Sequence, residues 1–252
     1  MKLESLVQYL DGYLGVSGHP DDPVALNGLQ VGGPTEVHRI VAAVDASEGS
    51  IGEAVRLGAD LLLVHHGLFW EGLRPLTGRL LRRVRPLVEK GVALYSAHLP
   101  LDGHPEVGNC ALVARALGVA PTGRFAAYHG VAIGWHGRLD PPLDVQGLVE
   151  RAEQAVGGPV RLLRGGPDRI ERVGVLTGRG GSAVGEAASL GLDALVTGEA
   201  SHHTYFDASE LGIHVVLAGH YATETFGVKA LAAHVAERFG LVWNFVDQPT
   251  GL

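Results

Sequence analysis

The chain has 252 residues, 46% of them apolar and 19% charged, and carries a formal net charge of -7 at pH 7. Such a composition excludes disorder, and the acidic balance excludes a basic nucleic-acid footprint over the whole surface, leaving nucleic acid at most a local patch. Cys110 is the single cysteine, so no internal disulfide can form, and neither a basic-apolar leader nor an apolar run of bilayer length is present. The expectation is a soluble cytoplasmic protein with no membrane partner.

In chain order, the first half predicts a helix over 3–14, a loop through His19-Pro20-Asp21-Asp22-Pro23 and a short Leu29-Gln30-Val31 strand. Strands over 38–45, 60–65 and 92–97 then alternate with helices over 48–58, 77–90 and 106–117, since short apolar runs bounded by Gly or Asp suit buried strands. The stretch from Gly118 to Gly123, with Pro121 inside it, marks a boundary that divides the chain into repeats over 1–122 and 123–252. Beyond it come an apolar run over 125–135, a Pro-Pro break at 141–142 and a helix over 144–156. Strands over 160–163, 170–177, 193–197 and 213–218 follow, with helices over 182–190, 201–211 and 222–239 and a final strand over 241–246.

Residues 40–66 reappear as residues 173–199: Gly52, Glu53, Ala54, Leu57, Gly58, Asp60 and Leu62 are matched at constant spacing by Gly185, Glu186, Ala187, Leu190, Gly191, Asp193 and Leu195. After each copy comes an apolar run that ends in a histidine followed four residues later by an acid, His98 with Asp102 and His220 with Glu224. The expected fold is α/β: two related α/β domains from an internal duplication, with mixed, mostly parallel sheets flanked by helices and a metal site between them.

Open α/β sheets place chemistry at the carboxyl ends of their strands, and the polar residues concentrate there. His65, His66, His98 and His220, with Asp102 and Glu224, all follow predicted strands. Adjacent residues on a strand point to opposite faces, so His65 and His66 converge only if the chain turns, which Gly67 would permit. If His220 and Glu224 lie in a helical first turn they share a face, whereas Pro100 makes the Asp102 segment read as a loop. Imidazole and carboxylate together suit Zn, Mn, Fe, Ni or Co, and a set with two acids exceeds what one closed structural zinc takes. A dinuclear site bridged by one carboxylate is the economical reading, and pocket histidines without metal are the alternative.

Five segments carry a resemblance: Asn27-Gly28-Leu29-Gln30-Val31, His65-His66-Gly67-Leu68-Phe69-Trp70, His98-Leu99-Pro100-Leu101-Asp102-Gly103-His104-Pro105, Thr197-Gly198-Glu199 and Gly219-His220-Tyr221-Ala222-Thr223-Glu224. In that order they resemble the GTP cyclohydrolase 1 type 2 homologues, the Nif-three-like family, in its short bacterial form. The resemblance runs from about Asn27 to the C-terminus. It implies two divalent metal ions per subunit held by His65, His66, Asp102, His220 and Glu224, with Glu224 bridging, and a ring-shaped homohexamer. Where the first copy has His65-His66 the second has Gly198-Glu199, so one composite site is expected rather than two.

The function that follows is a metal-dependent hydrolase, cyclohydrolase-like in form, in which water attacks guanine C8 of a nucleotide substrate and formate leaves. A two-metal phosphoesterase on nucleotides or nucleic-acid ends, and a non-enzymatic metal-binding or interaction protein, are the alternatives. His98 falls outside the implied ligands and reads as a catalytic proton shuttle or as a turn-stabilising donor. Glu199 either orients a ligand histidine or caps the helix near Ser201. Gly178-Arg179-Gly180-Gly181 has the look of a phosphate-cradling loop without its lysine, Trp70 and Phe69 read as core with base stacking as the minority use, and Asn27 and Gln30 read as amides fixing a loop. His202 and His203 read as surface residues, and Arg79, Arg82, Arg83 and Arg85 as a solvated helix face.

Overall fold

The computed structural model describes residues 1–252. In chain order its elements are α1 (Leu3–Leu14), β1 (Gly28–Val31), β2 (Arg39–Asp45), α2 (Glu48–Arg56), β3 (Leu61–His66), α3 (Gly78–Lys90), β4 (Ala93–Ser96), α4 (Leu99–Asp102) and α5 (Asn109–Ala116). There follow β5 (Val119–Tyr128), β6 (Val131–Asp144), α6 (Val145–Val156), β7 (Arg161–Leu163), β8 (Arg169–Leu176), α7 (Val184–Ser189), β9 (Ala194–Thr197), α8 (Thr204–Leu211), β10 (His214–Leu217), α9 (His220–Phe239) and β11 (Val242–Phe245). Two compact units result, Met1–Leu101 with Gly227–Gln248, and Asp102–Phe226 with Pro249–Leu252. The 1–122 and 123–252 halves describe the repeat in sequence, whereas tertiary contacts group the residues by these units. No helix is long and apolar enough to cross a membrane.

In the first unit the sheet order is β1-β4-β3-β2-β11, with β4, β3, β2 and β11 parallel and β1 antiparallel to β4. A strand covered on both faces needs apolar residues at every position, which is why Leu61-Leu62-Leu63-Val64 shows no alternation. Leu62 and Val64 pack with Val41, Ala43, Ile51, Ala54, Leu87 and Leu94. On α1 the buried side chains are Leu3, Leu6, Leu10 and Leu14, the spacing of one helical stripe. Ser47 starts α2 with a reciprocal box, its hydroxyl accepting from the Ser50 N–H while the Ser50 hydroxyl accepts from the Ser47 N–H.

In the second unit the order is β5-β6-β8-β9-β10-β7. Only β8, β9 and β10 run parallel, because the long β5–β6 hairpin and the short β7 add antiparallel pairs. This sheet is therefore more mixed than the strand and helix alternation predicts. The stretch expected to separate the repeats, Gly118 to Gly123, lies at the start of β5, and the Pro-Pro step lies inside β6 where its pairing with β8 shifts register between Arg138 and Leu143. Proline interrupts a ladder without ending the strand when the register slips around it. Along β9, Ala194 and Val196 pack with Val173, Val175 and Val216, while Leu195 packs with Phe125, Ile213 and Val215, so both faces of the sheet are covered.

The repeated residues perform the same backbone tasks in each unit. Gly58 and Gly191 end α2 and α7 in the left-handed region, φ 67° and 66°, and the next N–H, of Ala59 or Leu192, returns to the carbonyl of Ala54 or Ala187. Asp60 then accepts from the N–H groups of His38 and Arg39 at 2.7 and 2.9 Å, and Asp193 from those of Glu171 and Arg172 at 2.8 and 2.7 Å. Each aspartate clasps the head of the preceding parallel strand, and that clasp explains why Gly-x-Asp persists in both copies.

Candidate metal centre

In the first unit β3 ends at a pair of histidines whose rings lie 4.6 Å apart, and the His98 ring lies 5.1 Å from that of His65 and 5.7 Å from that of His66. One nitrogen from each of the three falls within 4.8 Å of the others. Gly67 contributes space rather than a special backbone angle. A Cβ there would sit 2.2 Å from Gln30 Nε2, and the Gln30 amide fills the place instead, accepting from the Leu68 N–H at 2.8 Å and donating to the Ala25 and Leu26 carbonyls. Gln30 thus fixes the loop as expected, and so does Asn27, whose Oδ1 accepts from the His98 N–H at 2.7 Å while its Nδ2 donates to Asp21.

Each of these histidines spends Nδ1 on an acceptor. His65 Nδ1 meets the Ala97 carbonyl, His66 Nδ1 meets Asp45 Oδ1 and His98 Nδ1 meets Asp21 Oδ1, all at 2.8 Å. A carbonyl or ionised carboxylate can only accept, so Nδ1 carries a proton, and in the neutral ring the lone pair lies on Nε2. Asp21 and Asp45 drew no notice as functional residues from the sequence. Asp45 ends β2 directly opposite His66 in the parallel register, a signal that reading the two strand ends together would have caught. Asp21 is separated from His98 by 77 residues and has no local signature. Burial raises the Asp21 pKa, but the hydrogen bond and charge of His98, the Asn27 amide and the Leu99 N–H outweigh it and hold the carboxyl below its ordinary value.

In the second unit α9 opens with His220 and places Glu224 one turn later, with His220 Nε2 3.1 Å from Glu224 Oε2. His220 Nδ1 donates to Glu199 Oε1 at 3.1 Å. Glu199 therefore orients a histidine. The alternative of a helix cap fails because α8 begins only at Thr204, and its N-cap residue His203 makes no side-chain cap bond. Asp102 ends α4, a single turn that tolerates Pro100 near its start where no intrahelical N–H is needed, which is why the loop reading of this segment misses it. The Asp102 carboxylate is buried, accepts from Asn109 Nδ2 at 2.8 Å and Thr177 Oγ1 at 3.1 Å, and has an oxygen within 4.8 Å of one from Glu224. Gly178, at φ 60°, leaves the Glu224 carboxylate its room: a Cβ there would lie 2.2 Å from Oε1.

The phosphate-loop reading of Gly178 to Gly181 does not hold. The Gly178 N–H donates to Thr223 Oγ1, that of Gly180 to Thr197 Oγ1 and that of Gly181 to the Glu199 carbonyl, so the cradle's donors are already engaged and Arg179 is exposed. His202 and His203 are surface residues as expected. Cys110 is fully buried against Thr177. Burial, with the charge of Asp102, pushes its thiol up to about 12, which keeps it neutral at physiological pH.

The donors on offer are imidazole Nε2 atoms with fixed tautomers and buried carboxylate oxygens, without thiolate. That chemistry fits borderline divalent cations such as Zn, Mn, Fe, Ni or Co. A second partner on the far nitrogen of every histidine is also what metal-ligating imidazoles require. In metal-free protein His220 faces carboxylates from both nitrogens. The hydrogen bond to Glu224 is the largest influence, opposed by burial and reinforced by the charge of Glu224 and by Glu199, and it raises the imidazole to about 9. A cation must displace this proton, so apparent affinity is expected to climb about ten-fold per pH unit from about pH 7.5 to 9 and then level off. The metal-free fold gains from the imidazolium below the ordinary value of about 6.5 and loses that gain as pH rises through about 9. Calorimetry in buffers of different ionisation enthalpy reads the released proton; pH-independent affinity over that range would contradict the assignment.

Fold and donors together define a two-unit α/β protein bearing histidine and carboxylate groups that could hold metal. A family profile described as Duf34/NIF3 (NGG1p interacting factor 3) matches residues 1–249. The chain belongs to this family. A relative from Deinococcus radiodurans, named GTP cyclohydrolase 1 type 2 homolog, is 45% identical over 249 residues, covering 99% of this chain and 94% of its own. Among solved structures, that of a protein named ybgI, of unknown function, is similar with a TM-score of 0.93 at 38% identity, and that of TTHA1606 from Thermus thermophilus with 0.91 at 44%; both comparisons cover 100% of each chain.

Proposed function

We propose that His65, His66, Asp102, His220 and Glu224 hold a pair of divalent cations and that the protein is a metal-dependent hydrolase of the cyclohydrolase kind, opening the guanine ring of a nucleotide by water attack at C8 with release of formate. The observation that carries the metal reading is the uniform engagement of Nδ1 on His65, His66, His98 and His220, which makes Nε2 the nitrogen a cation would take, on His220 once the proton facing Glu224 is displaced. The names of the full-length relatives support the choice of reaction. Bound cations would supply Lewis acidity and a lowered water pKa. The protein's own part is to set the donors. Asp45, Glu199 and the Ala97 carbonyl orient three imidazoles, and the buried Asp102 and Glu224 would provide negative charge.

His98 has the position of a proton relay in this reading, since Asp21 fixes its Nδ1–H and leaves Nε2 to accept a proton. His98→Ala is expected to keep the metal content while lowering turnover by about 100-fold. Loss of metal in that variant would make His98 a ligand and end the relay role. Protein reconstituted with Mn, Zn, Fe or Ni and presented with a nucleotide panel tests the whole proposal: formate release supports it, phosphate release favours a phosphoesterase, and no product favours a metal-binding protein without catalysis. The proposed homohexamer is tested by light scattering in solution, where a monomer mass would overturn it.

A further inference from the structure

Beside His66 the first unit holds a cavity of about 210 Å3 whose walls include Asp45, Trp70, Glu71, Arg74, Arg79 and Arg83. Three guanidinium groups face two acids, and both acids are engaged: Asp45 accepts from His66, and Glu71 pairs with Arg74. Arg79 and Arg83 have no ion-pair partner, although they stand one turn apart on α3, where like charges repel. Arg83 Nε is buried without an acceptor, and so is the indole Nε1 of Trp70, the ring that meets His66 and His98 edge-on at 5.9 and 4.8 Å. The cavity is thus rich in donors and positive charge and short of acceptors. Arg82 and Arg85, by contrast, pair with Glu48 and Glu89 on the solvated side of the helix, so the basic cluster on α3 splits into two faces.

We infer that this cavity binds the phosphate group of a phosphorylated small-molecule substrate, with Arg79 and Arg83 as its anion-binding residues and Trp70 as a further donor. Phosphate oxygens supply the acceptors these groups lack, and guanidinium forks match phosphate geometry. That the phosphate belongs to a substrate rests on the metal-centre proposal, because the cavity opens beside His66; the binding of phosphate does not. The same charge disfavours cations in this cavity.

The test is calorimetric titration of the full-length protein, its metal content measured alongside, with inorganic phosphate in one arm and guanosine monophosphate in the other. Arg83→Gln and Arg79→Gln are expected to weaken binding about ten-fold each with metal content unchanged, while Arg82→Gln leaves affinity at the wild-type value. Affinity in the wild type should fall as ionic strength rises. Binding in the phosphate arm alone assigns the cavity to free phosphate, and binding in both assigns it to phosphate esters. Equal affinity in wild type and both cavity variants, or no binding in either arm, overturns the inference. Because Arg79 is exposed, Arg79→Gln remains decisive if Arg83→Gln fails to fold. Unchanged metal in a His65→Ala protein would instead sink the metal-centre reading and leave the phosphate result intact.

Discussion

His65→Ala protein is expected to bind divalent metal at least about 100-fold more weakly than wild type, read by metal analysis of the protein as isolated and by titration after chelation. The scale follows because removing a mere orienting partner of a ligand already costs about 10–100-fold in affinity, and His65 is proposed as a ligand itself. Its side chain is fully buried at the end of β3, and its Nδ1 is fixed on the Ala97 carbonyl, so the substitution removes a donor already held in orientation. Alanine leaves a void and an unsatisfied carbonyl, and some loss of stability will accompany the loss of metal. His65→Gln keeps most of the volume and separates the two effects. His202→Ala, at an exposed histidine, should change nothing. Equal metal in wild type and both His65 variants would overturn the ligand assignment.

Asp21→Ala is expected to destabilise the protein by about 3 kcal/mol, measured by urea denaturation at pH 7. One carboxylate accepts from the His98 ring, the Asn27 amide and the N–H groups of Leu99 and Asp22, and its side chain is only 5% exposed. Four donors lose their acceptor together, and the sum is less than four separate losses because they share one group. The pH dependence gives an independent reading. A carboxyl whose folded pKa is depressed stabilises above its unfolded value and loses that contribution as pH falls through the folded one, so wild type and variant should differ at neutral pH and converge as the pH falls below the ordinary carboxylate range. Parallel curves over that range would mean that Asp21 acts through packing alone.

Strand and helix alternation was legible because buried parallel strands write themselves as unbroken apolar runs, with Gly58-Ala59-Asp60 and Gly191-Leu192-Asp193 as punctuation. The β5–β6 hairpin was not, since Pro121, Gly123 and the Pro141-Pro142 step look like breaks, and the strand pairing that tolerates them is a property of neighbours distant in sequence. At the site, the histidines and acids announced themselves by following strands. Their partners did not: Asp21 acts across a loop, and Asp45 across a parallel ladder, so neither lies near its histidine in the chain. The two faces of α3 escaped for another reason. Four arginines on a helix read alike until it is known which of them has an acid opposite.

The Asp60 and Asp193 clasps show what a duplicated chain can and cannot lend an engineer. In both copies the clasp and the glycine before it hold the parallel strands in place, and the strand ends they deliver are where the copies part: Asp45 and His66 in one, Gly178 and Glu199 in the other. Writing histidine at position 199 would not create a second site. The acid that would orient it is missing at Gly178, whose bare backbone is already committed to the Glu224 carboxylate, and His220 would lose the partner it has. The scaffold is therefore transferable between the two units and the chemistry is not.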